Sequence, residues 1–226
     1  MWVAAVAVIA AYLAGGFMGG DVVRRFAGGG DLRAEGSGNV GATNALRVRG
    51  PAFASAVLAV DVGKGLVAVL LIPWLAALTG PSAASFHPGA LAFACGAAVA
   101  FGHCFPLMHR FRGGKSVATL AGVFAVLLPW VFLGMFIAFV LVVVTSGYVA
   151  LGSLAAAAAA VIVTLALRLA FGVTSIGPAA MAFAVAMAAL VVVRHASNIR
   201  RLLAHTEARM DGVRVIGRAI DRWVGR

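Results

Sequence analysis

The chain has 226 residues, of which 63% are hydrophobic and only 11% charged, and its mean hydropathy is +1.04. That composition excludes a soluble domain of this size and points to a protein that crosses a membrane several times. The net charge of +11 would suit nucleic acid, but the basic residues gather almost entirely in three segments between apolar runs, around 24–49, 110–115 and 194–226. This is the positive-inside pattern of cytoplasmic loops; it argues for anionic lipid or phosphate ligands and against nucleic acid.

The first apolar run is Trp2–Met18. No basic residue precedes it, and positive charge first appears at Arg24 and Arg25. A retained first span with its N-terminus outside is expected, not a cleaved signal peptide. Further runs are Phe53–Leu78, Pro88–Leu107, Val149–Leu169 and Ser175–Val193. Between them lies Val117–Thr145, 29 residues, about 43 Å as one helix. That is too long for one bilayer core of about 30 Å and too short for two full spans. Pro129 near its middle would break a helix, so two short helices are expected, at about 116–128 and 130–145. Two spans here, and not one, return the Arg-rich tail to the side of the other basic segments. The expectation is an all-α integral membrane protein of seven transmembrane helices, with the C-terminus cytoplasmic. Residues 1–198 would form the membrane domain and 199–226 a basic tail. In that tail Arg214, Arg218, Arg222 and Arg226 recur at i, i+4 spacing opposite Val213, Ile216, Ile220 and Trp223, as in an amphipathic helix lying on anionic lipid.

Three polar clusters interrupt this pattern. The first is Glu35–Gly50. Gly36, Gly38 and Gly41 allow unusual backbone conformations and close approach of amides to a ligand. Ser37, Asn39, Thr43 and Asn44 add hydroxyls and amides, while Arg47 and Arg49 add forked cationic donors suited to phosphate. The second is His109–Thr119, where Gly113, Gly114, Lys115 and Ser116 precede a helix start, a possible phosphate cradle. A nucleotide P-loop is excluded: its first glycine would fall at His109, and no strand precedes the segment. Ser116 can also be read as a simple helix start. The third cluster is Arg194–Glu207, with His195 and Asn198 on one helix face.

Asp61 and Lys64, at i, i+3 in the second span, are expected to form a structural pair beside the site, since ionisable groups there are costly unless paired. His103 is either an interior histidine or a neighbour of the site. Tyr148 suits an ordinary interface aromatic. Cys95 and Cys104 fit no zinc or haem spacing and are taken as small buried hydrophobes. There is no His-x4-Asp pair of the kind used by many acyl-CoA-dependent acyltransferases, no acidic cluster for a hard cation and no Gly-x-Ser-x-Gly elbow.

The clusters, in this order, resemble the bacterial acyl-phosphate:glycerol-3-phosphate acyltransferases, the PlsY family. The resemblance rests on SGNVGATNALR at 37–47, DVGKG at 61–65, GHCFP at 102–106, FRGGKSVAT at 111–119, GYVALGS at 147–153 and RHASNIRRLLAHTE at 194–207. It implies a seven-span protein of the bacterial cytoplasmic (inner) membrane whose site faces the cytoplasm. It further implies transfer of an acyl chain from acyl phosphate to the 1-hydroxyl of glycerol 3-phosphate, giving lysophosphatidic acid and phosphate, with no acyl-CoA, cofactor or metal. By position, Ser37, Arg47, Lys115, His195 and Asn198 would line the site. Gly113 and Gly114 would supply backbone for a phosphate, with Gly38, Asn39, Gly41, Thr43, Asn44 and Ser116 as further binding residues and Asp61, Lys64 and His103 in support. The chain departs from the family pattern at Gly16-Phe17-Met18 in place of Ser-x-Pro, at Ser116 in place of the last glycine of GGKG, and at Ser197 in place of glutamate before Asn198. A transporter or channel for a phosphate compound, and a non-catalytic lipid-binding paralogue, are the competing readings.

Overall fold

The computed structural model describes residues 2–78 and 88–224. The described residues form α-helices and short 3₁₀ turns: α1 (Trp2–Gly15), α2 (Gly19–Ala27), α3 (Ala42–Arg49), α4 (Pro51–Leu78), α5 (Pro88–Cys104), α6 (Val117–Leu127), α7 (Pro129–Ser146), α8 (Val149–Leu169), α9 (Pro178–Arg194), α10 (Ala196–Leu203) and α11 (Val215–Val224). A helix therefore stands wherever the hydropathy pattern called for a span. Four segments are long and apolar enough to cross a bilayer, or six if the bent pairs α1–α2 (56°) and α9–α10 (61°) each count as one span. Helix α6, with 11 residues, reaches only about 16 Å. The break expected at Pro129 is present: Leu128 leaves the helical region, with φ −143° and ψ 67°, because the ring of a following proline disfavours it.

Lipid as solvent explains what the helices leave uncovered. Trp2, Val6, Ile9 and Leu13 form an exposed stripe along α1, and Trp130, Leu133, Ile137 and Leu141 another along α7. In water such stripes would drive aggregation; against hydrocarbon they match their surroundings.

The chain packs as two compact units, Met1–Leu128 and Pro129–Arg226. In the first unit α4 is the hub, touching α1, α2, α3, α5 and α6. Its approach to α6 is set by a reciprocal pair of glycines. A Cβ on Gly65 would lie 2.3 Å from Thr119 O, and one on Gly122 would lie 2.3 Å from Val62 O. Only residues without a side chain allow backbones to pack so closely, which is how membrane helices associate without a hydrophobic driving force. Val23, Leu32, Ala45, Ala54 and Val57 form a buried apolar cluster, joined by Leu46, Val48, Phe53 and Val60. This cluster seats the polar 28–50 segment on α4.

In the second unit α8 packs on α7 and α9, and α11 packs on α7. The tail is pinned to the turn after α7: Met210 N–H donates to Gly147 O (2.9 Å), Arg209 Nε to Ser146 O (3.0 Å) and Arg214 Nε to Thr145 O (3.0 Å). Arg214 also pairs with Asp221, and Arg209 lies over the Tyr148 ring, 5.7 Å from its centroid. Of the residues expected on the tail helix, Arg226 and the side chains of Ile220, Arg222 and Trp223 lie outside the described residues.

Candidate active site

The break between α1 and α2 exposes the carbonyl end of one helix and the amide end of the next, which carry opposite partial charges. Lys64 and Asp61, buried one turn apart on α4, meet both ends. Lys64 Nζ donates to Gly15 O and Phe17 O, each at 3.0 Å, and lies 2.9 Å from Asp61 Oδ1. Asp61 Oδ1 accepts from Gly19 N–H at 3.2 Å. The expected structural pair is therefore present, and its function is to join two broken helix ends. The ammonium also reaches His103 Nδ1 at 2.6 Å. An ammonium has only protons to give, so Nδ1 is the acceptor and the imidazole carries its proton on Nε2. Thr119 Oγ1 stands 3.3 Å from the same nitrogen.

His103 in turn shapes the Gly113–Gly114 pair, so it is both an interior residue and a neighbour of the second cluster. A Cβ on Gly114 would lie 2.2 Å from His103 Nε2, and one on Gly113 would lie 2.0 Å from His103 O. Gly114 N–H donates to His103 O at 3.0 Å. The glycines are required by packing against His103. On either side of them the backbone is strained. Arg110, Phe111 and Ser116 adopt φ of 51°, 60° and 60°, the left-handed region that costs roughly 1–2 kcal/mol for a residue bearing Cβ. Ser116 starts α6 through its carbonyl, which accepts from Leu120 N–H at 2.8 Å, but its side chain makes no capping bond. Lys115 is half-buried between Gly114 and Ser116.

In the first cluster Asn44, 1% exposed, staples the loop. Its Oδ1 accepts from Ser37 N–H at 2.9 Å, and its Nδ2 donates to Leu32 O at 3.0 Å and Glu35 O at 2.9 Å. These three bonds use both amide protons and fix the backbone at Ser37. Asn39 Oδ1 accepts from Gly41 N–H at 3.1 Å, turning the chain into α3. Arg49, expected to add charge for a phosphate, pairs with Glu35 and thereby closes the loop on itself. Ser37 and Arg47 are both exposed. The loop is tied to α2 by Arg33, which grips Asp21 with two bonds of 2.7 and 2.8 Å; His109 Nε2 lies 3.4 Å from the same carboxylate. Asp21 raises the Arg33 guanidinium above its ordinary value, chiefly through that hydrogen bonding. The Arg33 backbone N–H lowers the Asp31 carboxyl below its own ordinary value.

The third cluster lies in the second unit. His195 sits at the bend between α9 and α10, and its Nδ1 is 2.8 Å from Val191 O. A carbonyl only accepts, so Nδ1 carries a proton. Asn198 is buried, and its Nδ2 donates to Glu207 Oε1 at 2.8 Å; Arg201 Nε donates to Glu207 Oε2 at 2.7 Å. Glu207 is thus an organising residue that motif reading passed over. The signal was there: it is one of only seven acidic residues in the chain, and it closes the RHASNIRRLLAHTE segment.

Residues 5–205 match the family model described as glycerol-3-phosphate acyltransferase. The chain belongs to this family. A glycerol-3-phosphate acyltransferase of Syntrophotalea carbinolica is 41% identical over 202 residues, covering 89% of this chain and 95% of that protein. One from an Anaeromyxobacter species is 42% identical over 206 residues, covering 91% and 95%. Among solved structures, the glycerol 3-phosphate form of PlsY (YgiH), an integral membrane glycerol 3-phosphate acyltransferase, superposes with a TM-score of 0.76 at 32% identity, covering 92% of this chain and 95% of that one. The lysophosphatidic acid form of PlsY gives 0.75 at 31% identity, covering 94% and 98%. The resemblance drawn from the motifs is correct, and with it the all-helical integral membrane fold class.

The departures from the family pattern fall at definable places. Gly16-Phe17-Met18 forms the α1–α2 break, where Lys64 holds Phe17 O. Ser197 is exposed on α10, while Asn198 beside it is buried. Ser116 is buried next to Lys115.

Proposed function

We propose that this chain transfers an acyl group from acyl phosphate to the 1-hydroxyl of glycerol 3-phosphate, releasing lysophosphatidic acid and phosphate. The observation that carries this reading is the likeness, over more than nine-tenths of the chain, to a structure described with glycerol 3-phosphate and again with lysophosphatidic acid. The acyl donor is inferred from chemistry. Acyl phosphate is already activated, so an enzyme has only to position the hydroxyl, help remove its proton and stabilise the oxyanion.

The roles proposed follow the side chains. Arg47 and Lys115 hold substrate phosphates, and the Asn44 staple fixes the backbone at Ser37. The hydroxyl oxygen attacks the acyl carbonyl carbon, the carbon–oxygen bond to phosphate breaks, and phosphate leaves with the electron pair. The hydroxyl proton goes to His195 Nε2 or to a substrate phosphate oxygen. Asn198, held by Glu207, orients the same reaction. We place the protein in the bacterial inner membrane with seven spans, the N-terminus outside and the reaction on the cytoplasmic side; the distribution of Arg and Lys supports this topology. Palmitoyl phosphate supplied to purified protein should release phosphate only when glycerol 3-phosphate is present. Folded protein that releases none would overturn the proposal.

A further inference from the structure

We infer that Arg209 and Arg214 are positioning residues for the proposed acyl transfer: they strap the chain after α10 to the end of α7 and thereby hold Glu207 against Asn198. The inference rests on the proposed function in naming the reaction that the strap serves. Both arginines lie beyond residues 5–205, the part of the chain that matches the family model.

A helix ends in carbonyls that have no intrahelical donor, and they carry the negative end of its dipole. Helix α7 ends at Ser146, and the tail meets it there with donors. Arg214 Nε donates to Thr145 O and Arg209 Nε to Ser146 O, each at 3.0 Å, and Met210 N–H donates to Gly147 O at 2.9 Å. One short segment thus satisfies a run of consecutive acceptors. The approach is close: a Cβ on Gly217 would lie 2.1 Å from Thr145 O, and one on Gly147 would lie 3.0 Å from Arg209 Cγ. The arginines are themselves oriented. Arg209 lies over the Tyr148 ring and 3.5 Å from Asp211 Oδ1, and Arg214 pairs with Asp221.

Glu207 stands between this anchor and the site. It is buried, and its two oxygens accept from Asn198 Nδ2 and Arg201 Nε. Upstream, the chain folds back on α10 itself, where Thr206 N–H and Glu207 N–H both donate to Arg201 O. Those bonds move with α10 and give the carboxylate no outside reference. The anchor on α7, beginning at Arg209, supplies one. A carboxylate fixed from both sides sets the plane of the Asn198 amide. The clamped turn also leads into α8, which packs on α9 and α10, the helices that meet at His195.

Steady-state kinetics and hydrogen exchange on the full-length protein in detergent test the strap. Arg209→Met keeps the bulk of the side chain and removes its donors and charge; Arg214→Met does the same at the second anchor. Each should lower kcat about tenfold, short of the roughly hundredfold that a displacement of about 1 Å can cost. The KM values for glycerol 3-phosphate and acyl phosphate should stay near those of wild type, because the proposed phosphate ligands are untouched. Arg209→Lys returns a donor to Ser146 O and should recover part of kcat. Arg209→Met combined with Glu207→Gln should be no slower than Glu207→Gln alone, since a residue that acts through another adds no loss once that one is changed. Exchange across 196–207 should rise in Arg209→Met, a readout that needs no turnover. Arg218→Met removes an exposed tail charge outside the strap and should match wild type in both assays. If Arg209→Met does not fold, Arg214→Met carries the same comparison. Lower melting with wild-type kcat, losses that multiply in the double variant, or an equal loss in Arg218→Met overturns the inference. A wild-type protein that transfers no acyl group would sink the proposed function, and exchange would then decide the strap: a rise across 196–207 in Arg209→Met supports it, and no change overturns it.

Discussion

Replacing Lys64 by methionine probes the most concentrated set of buried polar contacts in the first unit. Methionine fills similar volume but withdraws the donor shared by Gly15 O, Phe17 O and His103 Nδ1, and it leaves the Asp61 carboxylate without its cation. Breaking a buried ion pair from one side costs about 3–5 kcal/mol. At roughly 2–4 °C per kcal/mol for a chain of this size, the melting midpoint should fall by about 10 °C. The double variant Lys64→Met with Asp61→Asn should recover about half of that loss. The asparagine oxygen still accepts from Gly19 N–H, and no unpaired charge remains buried. Thermal unfolding in detergent, followed by intrinsic fluorescence, reads all three proteins. If the double variant melts no higher than Lys64→Met, the cost does not lie in an uncompensated carboxylate and the electrostatic account of the α1–α2 junction is wrong.

Three further outcomes follow from the geometry. Asn44→Leu removes three hydrogen bonds, worth about 1 kcal/mol each, and should lower kcat/KM more than tenfold by releasing Ser37; normal kinetics would show that the staple is dispensable. Gly114→Ala drives a methyl into His103 Nε2 and should depress both melting temperature and turnover, while His103→Ala in the same chain should restore part of the melting temperature. Equal melting of the single and double variants would refute the contact. Glu207→Gln must set an amide donor against either Asn198 Nδ2 or Arg201 Nε, a loss of about 1–3 kcal/mol. Steady-state kinetics should show kcat down by tenfold or more, and an unchanged kcat would remove Glu207 from the site's support.

The membrane helices were legible because hydropathy and proline act locally: the Val117–Thr145 run divides at Pro129 as its length and ring chemistry require. The clusters stood out for a similar reason, since runs of glycine, arginine and asparagine break an otherwise apolar pattern. What each residue does there was less accessible. Asn44 and Arg49 look like ligand groups in the sequence, yet one staples Ser37 and the other closes on Glu35, because those partners are fixed by a turn that spacing does not reveal. Gly113 and Gly114 resembled a phosphate cradle, and what the sequence did not reveal is that His103, at the end of α5, fills the space their side chains would need. Glu207 was missed because its link to Asn198 depends on the bend after α10. The bend at Gly16-Phe17-Met18 likewise depends on a tertiary contact, that of Lys64 with Phe17 O.

The most direct test of the account is phosphate release from palmitoyl phosphate by the purified protein in detergent, with lysophosphatidic acid followed in the same reaction. The account predicts that phosphate and lysophosphatidic acid appear in equal amounts, only when glycerol 3-phosphate is present, and that Arg47→Ala or Lys115→Ala nearly abolishes both. Folded wild-type protein that forms no lysophosphatidic acid, or that releases phosphate equally without glycerol 3-phosphate, would contradict it.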